Sequence, residues 1–551
     1  MKKRLFSALL SLCLAASLFP IGVLAAEGDA ATEKVTVNVT AGTTNYTTTG
    51  PTKFVVSGAV TLSGSGDAFT ITQDAELVFE TGASLTLTGY TNGFVVQGAV
   101  LSGSGWVIND GDGMDLIRLK TGGQLDITGD VDLNGFNKNT SSRGIVLEST
   151  AANGGQQITL AANTTLAANA FYRGLETGGA KDYTISGAGM DSSTFDFKNN
   201  TVGMALSYFD ENANYEDCKL DVSNCVENGI FMRQDNAAIW GLNFDGVNIH
   251  CVNSTDTSGI AIRFHAGPFR FDNSVMTIDG STTTGLWIYD GWDATRTGSG
   301  ISNSTITVKN VEGNVLQYNG KAITMAICHD WTIDSSTINV DTCGYAGINL
   351  SNDTRVSGSF FEGYTAVPGM VGGKLIITDS NVHSSNMLEI NPSARSASAL
   401  FTVQVGQFLE FGDDVTAYSD NDSLPIVMCA KGTDPYPHFA GGFLPTSVEY
   451  DLSDLAANLN TDLRFIMTGG SSKDLATHEY AVLRNKPVDE NGAVLSMVTL
   501  SETEYSNLKN TDGTLTVTVN GESYFYHASR AADDGNRYIW VPDGAVIDGG
   551  V

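Results

Sequence analysis

A stretch of the form glycine, apolar, variable, apolar recurs along the chain. It appears as Gly144–Ile145–Val146–Leu147, Gly203–Met204–Ala205–Leu206, Gly229–Ile230–Phe231–Met232, Gly259–Ile260–Ala261–Ile262, Gly285–Leu286–Trp287–Ile288 and Gly347–Ile348–Asn349–Leu350. Gly174–Leu175 and Asn314–Val315–Leu316–Gln317 fill the gaps, so successive anchors from 144 to 347 stand 30, 29, 26, 30, 26, 29 and 33 residues apart. A second register keeps the same pace: Phe244–Asp245 with Ile249, Phe271–Asp272 with Met276, Ile301–Ser302 with Ile306, Ile333–Asp334 with Ile338, and Ile377–Thr378 with Val382. Period-2 alternation, β-branched residues and Gly/Asn/Asp/Ser punctuation predict short strands, and no 3.6 periodicity stands out before about residue 450. Weaker copies carry the repeat over roughly residues 35–400.

A unit of about thirty residues with two or three short strands and no crossover helix buries its apolar positions only by stacking on its neighbours. That predicts a parallel β-helix, with coils ~4.8 Å apart. A propeller is the competitor, but its blades use about 40–45 residues. Five residues after the anchor stand Asp290, Asn319 and Asn352, with Asn391 a coil later, which predicts a polar ladder at a turn. Regularity fades after an insertion at residues 359–373. The expected domains are a signal segment at 1–26, the β-helix with its cap at 27–470, and a small β-rich domain at 471–551. In that last part Asn520–Gly521 signals a hairpin and residues 502–508 a short helix.

Composition changes the picture in three ways. The 551 residues carry 30 Lys+Arg against 61 Asp+Glu, a formal net charge of −31, which argues against a nucleic-acid partner. Lys2, Lys3 and Arg4 precede an apolar run over 5–23 and the small residues Ala25 and Ala26, the pattern of an export signal. The expected protein is secreted or on the cell surface, with no membrane span after cleavage. The mature chain keeps Cys218, Cys225, Cys251, Cys328, Cys343 and Cys429, which permits three disulfides or, the blander reading, buried thiols. No zinc spacing occurs, and neither a metal nor a cofactor is expected.

These repeats resemble the pectin-lyase-like right-handed parallel β-helix superfamily, and especially the secreted or cell-surface, adhesin-like members from Gram-positive bacteria. The resemblance covers about two thirds of the chain and rests on architecture. It implies an all-β, single-stranded, right-handed solenoid, and it embraces lyases, glycoside hydrolases, epimerases, tailspikes and non-catalytic adhesins, so function must come from a site.

In the glycine-anchored strand the second and fourth residues after glycine point outward. The second column reads Phe231, Ala261, Trp287, Leu316 and Asn349; the fourth reads Arg233, Arg263, Tyr289, Tyr318 and Ser351, with Trp292 just beyond. Aromatic faces that pack on sugar rings, beside guanidinium groups that hold carboxylate or sulfate, make Phe231, Arg233, Arg263, Trp287, Tyr289, Trp292 and Tyr318 a candidate ligand-binding face. The partner would be an extracellular glycan or another ligand on a host or neighbouring cell. The same columns also fit aromatics that merely cover the sheet. Chemistry is less evident. Asn109–Asp110–Gly111–Asp112–Gly113–Met114–Asp115 has the composition of a calcium loop but lacks EF-hand spacing, and an Asp/Gly turn accounts for it equally. Gly412–Asp413–Asp414 is the one partial match to a polygalacturonase-like motif, and His250, His265 and His329 are scattered. Two readings therefore stand: a non-catalytic glycan-binding adhesin, or a polysaccharide lyase or glycoside hydrolase acting on acidic glycans through Arg233 or Arg263.

Overall fold

A computed structural model of the protein describes residues 34–138, 141–148, 154–178, 182–206, 211–232, 240–265, 268–290, 297–311, 320–327, 329–351, 374–385, 399–403, 408–411, 415–420, 427–429, 463–467, 479–484, 486–489, 495–511, 515–519, 521–526, 536–542 and 545–548. The chain is a parallel β-helix of three sheets. Among the described residues a first sheet of 14 strands begins at Val35–Val39 and ends at Phe408–Phe411, and a second of 13 strands runs from Ala59–Ser63 to Thr416–Ser419. The third stacks the anchored strands from Tyr46–Thr47 to Val427–Cys429, then passes through Leu463–Met467 into the antiparallel pairs Leu463–Met467 with Glu479–Arg484 and Glu479–Arg484 with Lys486–Asp489. Antiparallel strands there end a row of parallel pairing that would otherwise present an open edge. Residues 1–26, where an export signal is expected, lie outside the described residues, and no helix among the described residues is long and apolar enough to cross a membrane.

Each coil supplies one strand to each sheet. The inward column of the third sheet runs Ile145, Leu175, Met204, Ile230, Ile262, Leu286, Ile323, Ile348 and Phe401, in continuous register and buried throughout. Two sequence alignments are corrected by this register. Gly229 and Gly285 are matched by Ala261 in the coil between them, two residues beyond Gly259, because Ile230 pairs with Ile262 and Ile262 with Leu286. The strand between Gly285 and Gly347 is Lys321–Ile327, with Ala322 in the anchor position; residues 312–319 lie outside the described residues. The anchor is small because coils approach closely there. A Cβ on Gly203 would come within 2.5 Å of the Gly229 carbonyl oxygen, and one on Gly144 within 2.7 Å of that of Gly174.

The second sequence register resolves into two strands and a turn. Phe244, Phe271, Ile301, Ile333 and Ile377 stack in the first sheet; Ile249, Met276, Ile306, Ile338 and Val382 stack in the second. Between them stands one residue with positive φ per coil: Asp217 (49°), Gly246 (65°), Asn273 (50°), Asn303 (48°), Ser335 (49°) and Asp379 (47°). Short polar side chains and glycine tolerate this left-handed conformation best. The next residue is the fold's polar ladder. The N–H groups of Val247, Ser274, Ser304 and Ser336 donate to the hydroxyls of Ser274, Ser304, Ser336 and Ser380 one coil on, at 2.9, 3.0, 3.1 and 3.0 Å. Each hydroxyl donates in turn to the carbonyl two residues back, at 2.6–2.7 Å. Buried backbone at a turn needs such partners. Ser304→Ala is expected to cost about 1–3 kcal/mol in chemical denaturation, since it leaves the Ser274 N–H without an acceptor; an unchanged midpoint contradicts the ladder.

Cys218, Cys225, Cys251 and Cys343 are buried thiols, not in disulfides. Burial pushes Cys225 up to about 11 and Cys343 up to about 12, and raises Cys218 and Cys251 further above the ordinary thiol value. Because the thiolate is the nucleophile, these four are expected to resist a thiol reagent at pH 8 until the protein unfolds. Peptide mapping of the labelled sites checks this, and native labelling at Cys251 contradicts it. At the C-terminal end, Leu515–Val519 pairs antiparallel with Glu522–Tyr526 across the expected hairpin, where Gly521 has φ of 85°. Glu502–Leu508 is the expected helix, opened by a capping box between Ser501 and Glu504.

Candidate functional site

The expected ligand face is a packed column. Phe231, Arg263, Trp287, Thr324, Asn349 and Thr402 stand in register on the outer side of the third sheet. The Arg263 guanidinium carbon lies 4.5 Å from the centre of the Trp287 ring and 6.0 Å from that of Phe231, and only 8% of the residue is exposed. Tyr289 belongs to the neighbouring column, where it pairs with His265 and stacks on its ring at 5.0 Å; both are buried. Thr402 donates to the Asn349 amide oxygen at 2.8 Å, again out of solvent. Thus Phe231, Arg263 and Trp287 are brought together, with Tyr289 beside them. Arg233, Trp292 and Tyr318 lie outside the described residues.

Asp290 is not a rung of an amide ladder. It registers with Ile327, and Asn319, Asn352 and Asn391 lie outside the described residues. Its Oδ2 instead gathers a buried cluster: the Ser299 hydroxyl at 2.6 Å, the Trp331 indole N–H at 2.8 Å and His329 Nε2 at 2.8 Å. Burial opposes charge on His329, but hydrogen bonding and attraction to Asp290 outweigh it and raise the imidazole above its ordinary pKa. A histidine so raised contributes stability that is complete below the unfolded value, about 6.5, and is lost as pH rises through the folded value. The thermal midpoint is therefore expected to fall as pH climbs upward from about 6.5, and His329→Gln should remove that part of the slope. An identical slope in the variant contradicts the pairing.

Two other sequence candidates become local structure. Asp110 accepts the N–H groups of Asp112, Gly113 and Met114 at 3.0, 2.7 and 3.1 Å, while Asp112 accepts that of Gly89 at 2.6 Å, so these two carboxylates of the Asp/Gly loop are spent on backbone. Among the described residues no group of three His, Cys, Asp or Glu side chains is placed to hold a metal ion. His250 Nδ1 lies 3.2 Å from the Ser223 hydroxyl and 3.5 Å from Asp221, so one nitrogen meets both and no relay forms.

What the described surface does offer is a cleft of about 500 Å³ further toward the N-terminal end, lined by Tyr90, Met114, Asp115, Arg143, Tyr172, Arg173 and Glu176 among others. The third sheet builds it from adjacent coils, since Asp115, Arg143 and Arg173 stand in one outward column and Arg118, Val146 and Glu176 in the next. Arg143 clamps Asp115 bidentately, Nε to Oδ1 and Nη2 to Oδ2, both at 2.6 Å, and its Nη1 donates to Glu176 at 2.9 Å. Arg173 donates to the other Glu176 oxygen at 2.6 Å while lying 5.2 Å over the Tyr172 ring. Arg118 joins at the side, 3.4 Å from Asp115 and 3.3 Å from Glu148. The Tyr90 ring is buried against Gly64, and its hydroxyl donates to the Thr44 carbonyl. The outward columns that follow the glycine from Gly229 onward do not contain this site. The residue before each anchor also points out, and that column alone places Arg143 beside Arg173.

Comparison with family models, with curated proteins and with solved structures returns no match. The chain thus stands as a parallel β-helix protein defined by its own coils and cleft.

Proposed function

We propose that this is an exported or cell-surface β-helix protein of the pectin-lyase-like kind that binds glycan without cleaving it, and that the cleft on the third sheet is where it binds. The observation that carries the reading is the cleft itself: a concave site lined by two tyrosines and an ion-pair chain running Asp115–Arg143–Glu176–Arg173 on the sheet. Small-ligand sites are such concavities, with a few fixed polar groups that orient the ligand. Tyr172 brings an apolar ring with a polar tip, and guanidinium and carboxylate groups give donors and acceptors side by side. Catalysis is not favoured, because both oxygens of Asp115 and both of Glu176 are tied to guanidinium groups, and a working pair of carboxylates must pass a proton or attack the sugar. The test applies a panel of oligosaccharides and polysaccharides to the purified mature protein, following binding, unsaturated uronides and new reducing ends. Binding without products, lost in Tyr172→Ala at unchanged thermal stability, is the expected result. Product formation, or binding unaffected by Tyr172→Ala, overturns it.

A further inference from the structure

We infer that the cleft selects neutral, hydroxyl-rich sugars over uronates and sulfated glycans, an inference that rests on the glycan-binding reading of the same site. Three features carry it.

The first is charge closure. The cleft is lined by two cations, Arg143 and Arg173, and two anions, Asp115 and Glu176, each joined to the opposite sign at 2.6–2.9 Å. An anionic ligand could recruit a guanidinium only in competition with carboxylates already seated in bidentate or bridging geometry. These pairs are the strong, charge-assisted kind.

The second is the remaining hydrogen-bonding capacity. A guanidinium has five N–H groups and a carboxylate about four lone-pair sites. Arg143 directs three of its N–H groups at carboxylates, and Arg173 uses Nη1 and leaves Nη2 without a protein partner, its Nε being enclosed out of a ligand's reach. Each Glu176 oxygen accepts one of these bonds. Unused donors and unused lone pairs therefore lie side by side. A hydroxyl, which donates and accepts at once, satisfies both; a carboxylate or sulfate only accepts, and would set its charge against Asp115 and Glu176.

The third is the field of the whole chain. A formal charge of −31 disfavours the approach of polyanions, and the paired cleft offers no compensating positive surface.

Calorimetric titration of the full mature chain tests this with matched neutral, uronic and sulfated oligosaccharides at low and physiological salt. Neutral ligands are expected to bind at least about tenfold tighter than their uronate counterparts, with little change between the two salts, because no net charge is exchanged. Glu176→Gln supplies the decisive second arm. It leaves one amide oxygen for the two guanidinium donors Arg143 Nη1 and Arg173 Nη1, so at least one of them loses its acceptor, and it gives the lining a net positive charge; it should therefore weaken the neutral ligand and create salt-sensitive uronate binding. Glu148→Gln, outside the lining, should do neither. Uronates binding the wild-type protein more tightly, or Glu176→Gln leaving the preference unchanged, overturns the inference while the glycan-binding reading stands. Binding of neither class overturns both.

Discussion

Asp290→Ala is expected to destabilise the β-helix by roughly 3–5 kcal/mol, the cost of breaking a buried ion pair by removing one partner. The carboxylate oxygen that accepts from Ser299 and Trp331 and faces His329 Nε2 at 2.8 Å is enclosed, and the His329 side chain is just as buried. Without it, an imidazole is left charged or forced neutral, and an indole N–H and a hydroxyl lose their acceptor. The loss should show as a lower urea midpoint and as disappearance of the His329-dependent pH slope. Asp290→Ala/His329→Leu should recover part of the loss, because the orphaned charge goes with its partner. A single variant within about 0.5 kcal/mol of wild type, the range of ordinary surface substitutions, would sink the cluster as a structural element.

Phe94→Ala is expected to cost about 3–5 kcal/mol, as deletion of a fully buried aromatic does, and to act at one end of the rod. Tyr46, Phe69 and Phe94 stack in consecutive coils, with centroids 4.9 and 4.4 Å apart and planes within 9°, while Phe54 meets the first two edge-on. In a solenoid each coil touches only its neighbours, so stability is close to a sum of local terms. Hydrogen exchange should therefore lose protection in the strands from Val35–Val39 to Trp106–Asp110 and keep it from Trp240–Asp245 to Ala346–Leu350. An even loss along the chain would mean that the coils fold as one unit and would contradict nearest-neighbour energetics.

Much of this architecture can be read from sequence because the physics that builds it is periodic. Inward residues such as Ile262 and Leu286 repeat once per coil, and the anchor glycine repeats because a Cβ on Gly203 would strike the next coil's carbonyl. The same regularity misleads where a loop changes length within a coil. Gly259 fits the motif yet stands two places early, and the residues at 314–317 fit it although the strand there is Lys321–Ile327. Arg263 therefore aligns with Phe231 and Trp287, a register in which it stacks between rings instead of lining up with Tyr289. Burial of outward columns is illegible for a related reason: period 2 tells which side of the sheet a residue takes, not what covers that side. The serine ladder lay in plain view as Ser274, Ser304, Ser336 and Ser380, but its partners are backbone groups one coil away that no linear pattern names. The cleft joins Asp115, Arg143 and Glu176, 28 and 33 residues apart, and it becomes visible only once coils are aligned strand by strand.

The most direct test of the account is a crystal structure of the mature protein soaked with a neutral oligosaccharide that binds in solution. A sugar ring is expected against Tyr172, with hydroxyls within hydrogen-bond distance of Arg173 and Glu176 and both Arg143 pairs intact. Sugar seated elsewhere, whether along Phe231, Arg263 and Trp287 or at the C-terminal strands, would contradict it.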